Sequence, residues 1–94
     1  MKSKLVCGID PGPVESTAVA FNRITYEIVA QHSSRNLELL AWLDTTTCNA
    51  LAVETVRSYG RIVGDDVFLT CEWAGRFIQW GLDHNVDTAG VTRR

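Results

Sequence analysis

Apolar runs separated by turn residues dominate the N-terminal third of the chain. The first run, at residues 6–9, ends at Asp10 and is broken at once by Pro11-Gly12. A second run covers residues 16–21, and residues 24–31 alternate between apolar and polar positions. The apolar face of this third run consists of Ile24, Tyr26, Ile28 and Ala30. Three such runs joined by short turns predict an antiparallel meander of three strands.

Two helices and two further strands are predicted in the rest of the chain. A leucine-rich segment from Leu37 to about Asp44 predicts the first helix. Its candidate N-caps are Ser33, Ser34 and Asn36. The apolar run at residues 50–54 predicts a fourth strand that ends at Glu54, and residues 86–92 predict a short fifth strand.

The second helix is predicted from Val67 to about Asp83, and Asp65 or Asp66 can cap it because acids are favourable at the positive end of a helix. Its two apolar stripes are Val67, Cys71, Ala74 and Ile78, and Trp73, Phe77 and Trp80. A helix that covers a sheet needs only one stripe. We expect the aromatic stripe to pack under a neighbouring element rather than to form a platform on which bases stack.

The helix between the third and fourth strands determines where the fourth strand lies. A helix that joins two strands of one sheet usually makes a right-handed parallel crossover. The fourth strand should therefore lie beside the first and run parallel to it. The sequence predicts an α/β fold with a five-stranded mixed sheet, in which Asp10 and Glu54 lie at the same edge.

Two carboxylates at the edge of an apolar core favour a metal site. Two such groups about 4 Å apart repel each other by roughly 4 kcal/mol at an effective dielectric constant of about 20, and a hard divalent cation removes this penalty. Magnesium suits two carboxylates because it keeps waters and substrate phosphate oxygens in its coordination shell. Alternatively, Asp10 is a turn residue before Pro11-Gly12, and Glu54 is a solvated acid or the partner of Arg57.

Composition and charge narrow the class of protein. The 94 residues are 46% hydrophobic and 21% charged, which is typical of one globular domain. No apolar stretch is long enough to span a membrane, and the first residues resemble neither a signal peptide nor a transit peptide. We therefore expect a soluble, cytoplasmic protein.

The net charge of −2 gives no global attraction for nucleic acid, so a role with DNA needs local clusters of basic residues. Arg57, Arg61, Arg93 and Arg94 follow the predicted fourth and fifth strands, although surface solvation explains them equally well. Cys7, Cys48 and Cys71 have no spacing that indicates a disulfide framework or a zinc site. We interpret Cys7 and Cys71 as small core residues.

The order of elements, together with five short motifs, resembles the ribonuclease H-like fold. Gly-Ile-Asp-Pro-Gly at residues 8–12 and Ala-Val-Glu at 52–54 look like the RuvC type of Holliday junction resolvase. The chain also resembles phage and bacterial RuvC-like proteins, through Ser-Tyr-Gly at 58–60, Gly-Asp-x-Val-Phe at 64–68 and Trp-x-Gly-Arg-Phe at 73–77. It covers nearly the whole chain.

This resemblance implies a metal-dependent, structure-selective DNA endonuclease that acts on branched DNA such as a four-way junction, usually as a homodimer. It implies that Asp10 and Glu54 are catalytic and bind Mg²⁺ or Mn²⁺, here weakly. Residues expected to contact DNA, by phosphate binding or base stacking, are Arg57, Tyr59, Arg61, Arg93 and Arg94.

Two further acids of the family come from a C-terminal helix, which this chain lacks. Asp83 and Asp87 cannot replace them because they lie at the start of the last strand, at the opposite end of the sheet from Asp10 and Glu54. The chain is therefore expected to be a truncated, inactive form of a single domain, residues 1–94. The sheet face without helices should offer apolar residues such as Val6, Ala18 and Val53, which favours self-association.

Two other functions remain open. An actin-like nucleotide-binding unit also begins with an apolar strand, an acid and a glycine, and Asp10, Gly12, Ser16 and Thr17 could then meet phosphates. That reading leaves Glu54 without a role. The chain could also be a non-catalytic remnant of the fold that dimerises through Trp73, Phe77 and Trp80.

Overall fold

A computed structural model describes residues 5–56 and 64–92, which form one five-stranded mixed sheet and two helices. The elements in chain order are β1 (Leu5–Asp10), β2 (Glu15–Asn22), β3 (Ile28–Arg35), α1 (Asn36–Asp44), β4 (Ala50–Thr55), α2 (Asp65–Asp83) and β5 (Asp87–Thr92). The predicted α/β class and element order are confirmed. Neither helix is long and apolar enough to cross a membrane, among the residues that the structure describes.

The strand order in the sheet is β3-β2-β1-β4-β5. β1, β2 and β3 form the predicted antiparallel meander, and β4 pairs with β1 in parallel. β5 then adds to β4, also in parallel. Both helical crossovers therefore place the carboxyl ends of β1, β4 and β5 at one edge of the sheet.

Both helices cover the same face of the sheet. α1 contacts β2 and β3, and α2 contacts β4 and β5. The buried hydrophobic core between helices and sheet consists of Cys7, Ile9, Ala18, Ala20, Leu39, Leu43, Leu51, Val53, Ala74 and Phe77. Because side chains alternate along a strand, the residues between these core positions face the other side, here called the open face.

Ala18 and Val53 do not belong to the open face, contrary to expectation. Each is fully buried under the helices. Val6 does alternate with the core residue Cys7, and so lies on the open face as expected. The apolar part of the open face also includes Val19, Phe21, Ala50, Ala52, Ala89 and Val91.

β3 begins four residues later than predicted, at Ile28. The turn before it is held by Asn22, whose side-chain oxygen accepts hydrogen bonds from the backbone N–H groups of Ile24 and Thr25 at 2.9 and 3.2 Å. Tyr26 has a positive φ of 62°, and its side chain is 77% exposed. The apolar alternation at Ile24 and Tyr26 is therefore part of a turn.

The later strand also changes how α1 begins. Ser33 and Ser34 belong to β3, so they cannot cap the helix. The N-cap position is Arg35, which makes no side-chain capping bond, and Asn36 is already the first helical residue. Ser34 and its neighbours extend the sheet instead.

α2 confirms one prediction about its stripes and corrects another. Phe77 is fully buried, and Trp73 and Trp80 pack against the core, so the aromatic stripe packs as expected. Cys71, predicted to be a core residue, is exposed. The N-cap is Gly64, and the two acids predicted as caps, Asp65 and Asp66, lie in the first helical turn.

Candidate functional site

Asp10 ends β1 on the open face. Cys7 and Ile9 point into the helix-covered core, so Gly8 and Asp10 point the other way. Asp10 pairs with Thr17 of β2 and is exposed. Pro11 and Gly12 then end the strand, since proline has no N–H to continue the ladder.

Glu54 lies beside Asp10 on the neighbouring strand. The parallel register pairs Ile9 of β1 with Val53 of β4, so the next residue of each strand is an acid. Asp10 is the last residue of β1, and Glu54 is followed in β4 only by Thr55. Both come directly after a buried residue, which places Asp10 and Glu54 on the same face and at the same edge. Their side chains line one shared cleft of about 420 Å³.

Small residues form the floor of this cleft. Gly8 and Ala52, two residues before Asp10 and Glu54, face the same side. A Cβ atom built on Gly8 would meet no atom within 4 Å. The space above Gly8, between the two strands that carry the acids, is therefore open.

A buried hydrogen-bond network holds the turn that follows Asp10. The Gly12 N–H donates to the Ser16 hydroxyl at 3.0 Å, and the Ser16 hydroxyl donates to the side-chain oxygen of Asn36. The Asn36 amide donates back to the carbonyl oxygen of Gly12 at 3.0 Å. Ser16 is 3% exposed and Asn36 is 2% exposed. This closed ring fixes the turn against the start of α1.

Gly12 is required in this turn because of a close backbone approach. A Cβ atom there would overlap the carbonyl oxygen of Glu15. The ring also uses the hydroxyl that the actin-like interpretation assigned to phosphate contact, since Ser16 is buried and hydrogen-bonded inside the protein. Thr17, the other such residue, shares a hydrogen bond of 2.8 Å with Ser33.

A second cleft opens at the same edge of the sheet. It has a volume of about 540 Å³ and lies between the turn after Asp10 and the first turns of α2. Asp66, Val67 and Thr70 line its α2 side. The Thr70 hydroxyl donates to the backbone oxygen of Asp66 at 2.7 Å, which anchors this end of the helix.

Asp87 lies at the opposite end of the sheet, as predicted. It pairs with Ala50 at the start of β4, whereas Glu54 pairs with Val91. Within residues 5–56 and 64–92, no three or more His, Cys, Asp or Glu side chains form a group that could hold a metal ion. Asp10 and Glu54 therefore form a pair of acids rather than part of a larger group of such side chains in this part of the chain.

The predicted DNA-contacting residues lie outside the described part of the chain. These residues are Arg57, Tyr59, Arg61, Arg93 and Arg94. The described strands that precede them, β4 and β5, end at Thr55 and Thr92 at the same edge as Asp10. Their contact with DNA stays a prediction.

The sequence indicated Asp10 and Glu54 but not Ser16 and Asn36. Each acid ends an apolar run, which is a local pattern. The bond between Ser16 and Asn36 joins residues 20 positions apart. The available signal was Asn36, a polar residue directly before the leucine-rich segment. This pattern predicts an N-cap and does not indicate Ser16 as the hydrogen-bond partner.

Comparison with known proteins places this arrangement in a known fold. The sequence matches no family model and no curated protein sequence. The structure is similar to RuvC of T. thermophilus in complex with a Holliday junction substrate, with a TM-score of 0.68 and 15% identity over 95% of this chain and 63% of that chain. The chain has a ribonuclease H-like fold.

Two further structures support the same fold. A Thermus thermophilus RuvC structure has a TM-score of 0.62 and 15% identity, over 94% of this chain and 63% of that chain. Ciona intestinalis endonuclease V in complex with inosine-containing DNA has a TM-score of 0.60 and 14% identity, over 99% of this chain and 47% of that chain. The chain thus spans less than two thirds of the length of these structural relatives.

Proposed function

We propose that this chain is the metal- and DNA-binding part of a nuclease that acts on branched DNA of the Holliday junction type. The observation that carries the proposal is the position of Asp10 and Glu54, side by side on one face at the carboxyl ends of two parallel strands. The similarity to RuvC, solved with a Holliday junction substrate, and to endonuclease V, solved with DNA, supports it.

The two carboxylates fit Mg²⁺ or Mn²⁺ as ligands. Magnesium is commonly bound by one or two carboxylates, with waters and substrate phosphate oxygens completing its shell. Asp10 and Glu54 would hold the ion, and two protein ligands imply weak binding. Bound there, the ion would lower the pKa of a coordinated water and stabilise the charge that develops during phosphodiester hydrolysis.

The other residues of the site would position the reacting groups. The hydrogen-bond ring of Gly12, Ser16 and Asn36 fixes the end of β1 and with it the backbone of Asp10. The floor of Gly8 and Ala52 leaves room for a DNA strand. For the basic and aromatic residues beyond β4 and β5, we propose phosphate contacts by the arginines and base stacking by Tyr59.

Titration with Mn²⁺, followed by calorimetry, tests the metal site. We expect weak binding to the unchanged chain, and its loss in Asp10→Asn and in Glu54→Gln. Asp87→Asn is the matched control because it removes an acid from the opposite end of the same sheet. Equal binding by Asp10→Asn and the unchanged chain would overturn this assignment.

A cleavage assay tests the nuclease function. We expect the 94-residue chain alone to cleave DNA very slowly, because two-metal hydrolysis needs two ions held a few ångströms apart and two carboxylates supply too few oxygens. Four-way junction and duplex DNA should each be incubated with Mg²⁺ and then Mn²⁺. Cleavage by the 94-residue chain that Asp10→Asn leaves unchanged would contradict the nuclease proposal. Where the reading frame continues past Arg94, the longer chain should show cleavage that Asp10→Asn abolishes, and no cleavage by it would also contradict the proposal.

A further inference from the structure

A row of polar side chains crosses the open face at the level of Asp10. The strand register pairs Asp10 with Thr17 of β2, and Thr17 with Ser33 of β3. On the other side of Asp10, Glu54 of β4 occupies the neighbouring position. Thr17 lies between two buried residues of β2, so its side chain faces the open side, as those of the two acids do. The acids and the hydroxyls therefore form one row, with one side chain from each of four neighbouring strands.

Thr17 lies where the two clefts of the site meet. Asp10 and Thr17 line both the cleft of about 420 Å³ and the cleft of about 540 Å³. Ser33 lines the larger one. A group bound at Asp10 therefore shares its space with the two hydroxyls.

The hydroxyls of Thr17 and Ser33 keep hydrogen-bonding capacity for a further partner. They share one hydrogen bond of 2.8 Å, in which either oxygen can be the donor, and this bond is exposed. A hydroxyl has one donor and two acceptor lone pairs. The shared bond uses one proton and one lone pair, so the pair still offers acceptor oxygens to the cleft.

The charges around the larger cleft indicate what this partner is. Its charged lining residues, among the parts of the chain that the structure describes, are Asp10, Glu15 and Asp66, and all three are acids. They repel a phosphate group and attract a cation together with its waters. Waters on a divalent cation are hydrogen-bond donors, which suits hydroxyl groups that accept.

The spacing of the strands suits a contact through water. Mg²⁺ holds its oxygen ligands at about 2.1 Å, and an O–H···O hydrogen bond adds about 2.8 Å. Neighbouring strands lie about 4.8 Å apart. A hydroxyl one strand away from a metal-binding carboxylate is therefore at the right distance to hold a water of the ion rather than the ion itself.

We propose that Thr17, held by Ser33, is a positioning residue that accepts a hydrogen bond from a water on the Mg²⁺ or Mn²⁺ ion. The inference rests on the proposed function, in which Asp10 and Glu54 bind this ion. Hydrogen bonds from outside the coordination shell typically contribute 10–100-fold to metal affinity. Thr17 thus strengthens a site that has few protein ligands and orients one of the waters of the ion.

Electron paramagnetic resonance of free Mn²⁺, followed during titration with the 94-residue chain, tests the proposal. Thr17→Val keeps the shape of the side chain without its hydroxyl, and we expect the Kd for Mn²⁺ to rise about 10-fold. Thr17→Ser keeps the hydroxyl and should bind as the unchanged chain does. Thr25→Val is the matched control because Thr25 lies in the turn at the other end of β2. Thermal unfolding followed by circular dichroism checks that each variant is folded.

The outcomes separate this proposal from the metal site on which it rests. If Asp10→Asn abolishes Mn²⁺ binding but Thr17→Val binds as tightly as the unchanged chain, the role of Thr17 is wrong and the metal site stands. Equal weakening by Thr17→Val and Thr17→Ser would also overturn the proposal, because the hydroxyl would then not be the cause. No Mn²⁺ binding by the unchanged chain would overturn both the metal site and the role of Thr17.

Discussion

At the scale of single residues, Asn36 is the polar group on which the turn after Asp10 depends. Its amide donates to Gly12 and its oxygen accepts from Ser16, both in the protein interior. Asn36→Leu leaves the Gly12 carbonyl and the Ser16 hydroxyl buried without these partners. We expect the free energy of unfolding in urea to fall by about 2 kcal/mol, which is typical of a buried group left unsatisfied.

The control for Asn36 is Ser33→Ala. Ser33 also shares a hydrogen bond, at 2.8 Å with Thr17, but this bond is exposed and water can replace it. Its loss should change the free energy of unfolding by less than about 0.5 kcal/mol. Equal effects of the two substitutions would show that the ring does not stabilise the turn.

Cys48 provides a prediction about pH. Because hydrogen bonding lowers its pKa to about 7, alkylation by iodoacetamide should accelerate as pH rises through about 7 and then level off. Cys7→Ala removes the donor, so the midpoint should move to higher pH. Asp44 lines the same surface hollow as Cys48, and Asp44→Asn is the control that should leave this midpoint in place. A midpoint unchanged by Cys7→Ala would contradict the role of the hydrogen bond.

Some residues of the candidate site can be identified from the sequence alone, and others cannot. Asp10 and Glu54 are visible because each is a single charge at the end of an apolar strand. The influence of Cys7 on the pKa of Cys48 is not visible, since 41 positions separate the two residues. A local sequence pattern therefore identifies Asp10 and Glu54 as candidate site residues. The surroundings of a side chain depend on contacts between residues far apart in the sequence, which the pattern does not show.

At the scale of elements, the strands that end in acids and both helices were predicted to within a few residues, because buried periodicity is strong there. The start of β3 was predicted four residues too early, because the apolar residues Ile24 and Tyr26, which alternate with polar ones, lie in an exposed turn. Sequence alone does not reveal that Asn22 accepts two backbone hydrogen bonds there. The hydrogen bonds of the Asn22 side chain therefore determine a turn at residues where the apolar periodicity predicts a strand.

α2 and β5 meet at a glycine, which gives a prediction about helix packing. A Cβ atom on Gly81 would overlap the Thr88 hydroxyl and lie 3.0 Å from Leu51. Gly81→Ala should therefore lower the melting temperature, although alanine is intrinsically better than glycine in a helix by about 1 kcal/mol. Thermal unfolding followed by circular dichroism measures this change.

Gly75, in the same helix, is the matched control for Gly81. A Cβ atom there would meet no atom within 4 Å, so Gly75→Ala should raise the melting temperature. Adding Thr88→Ala to Gly81→Ala removes the colliding side chain and should recover part of the loss. If Gly81→Ala and Gly75→Ala shift the melting temperature in the same direction and by the same amount, the contact is not tight.

At the scale of the whole molecule, the two faces of the sheet differ. One face is covered by both helices and holds the core, whereas the other carries Asp10 and Glu54 among apolar neighbours. The crossover rule predicted the edge at which the acids meet. It did not predict which strand residues would be covered, because that depends on the side on which the helices pack.

The open face gives the last prediction, that the chain self-associates. Val6, Val19 and Phe21 share this face, and Val91 on it is 48% exposed. Contiguous apolar patches above several hundred Å² are uncommon on monomers, so a second copy is expected to cover this face when no DNA strand occupies it. Light scattering at micromolar concentration should give a mass above that of one chain.

Val19→Glu places a charge in the centre of the face and should reduce this mass, whereas Ile24→Lys, at an exposed turn, should not. A mass of one chain for the unchanged protein would contradict the prediction, and a loss of association in Trp73→Glu rather than Val19→Glu would assign the contact to α2 instead.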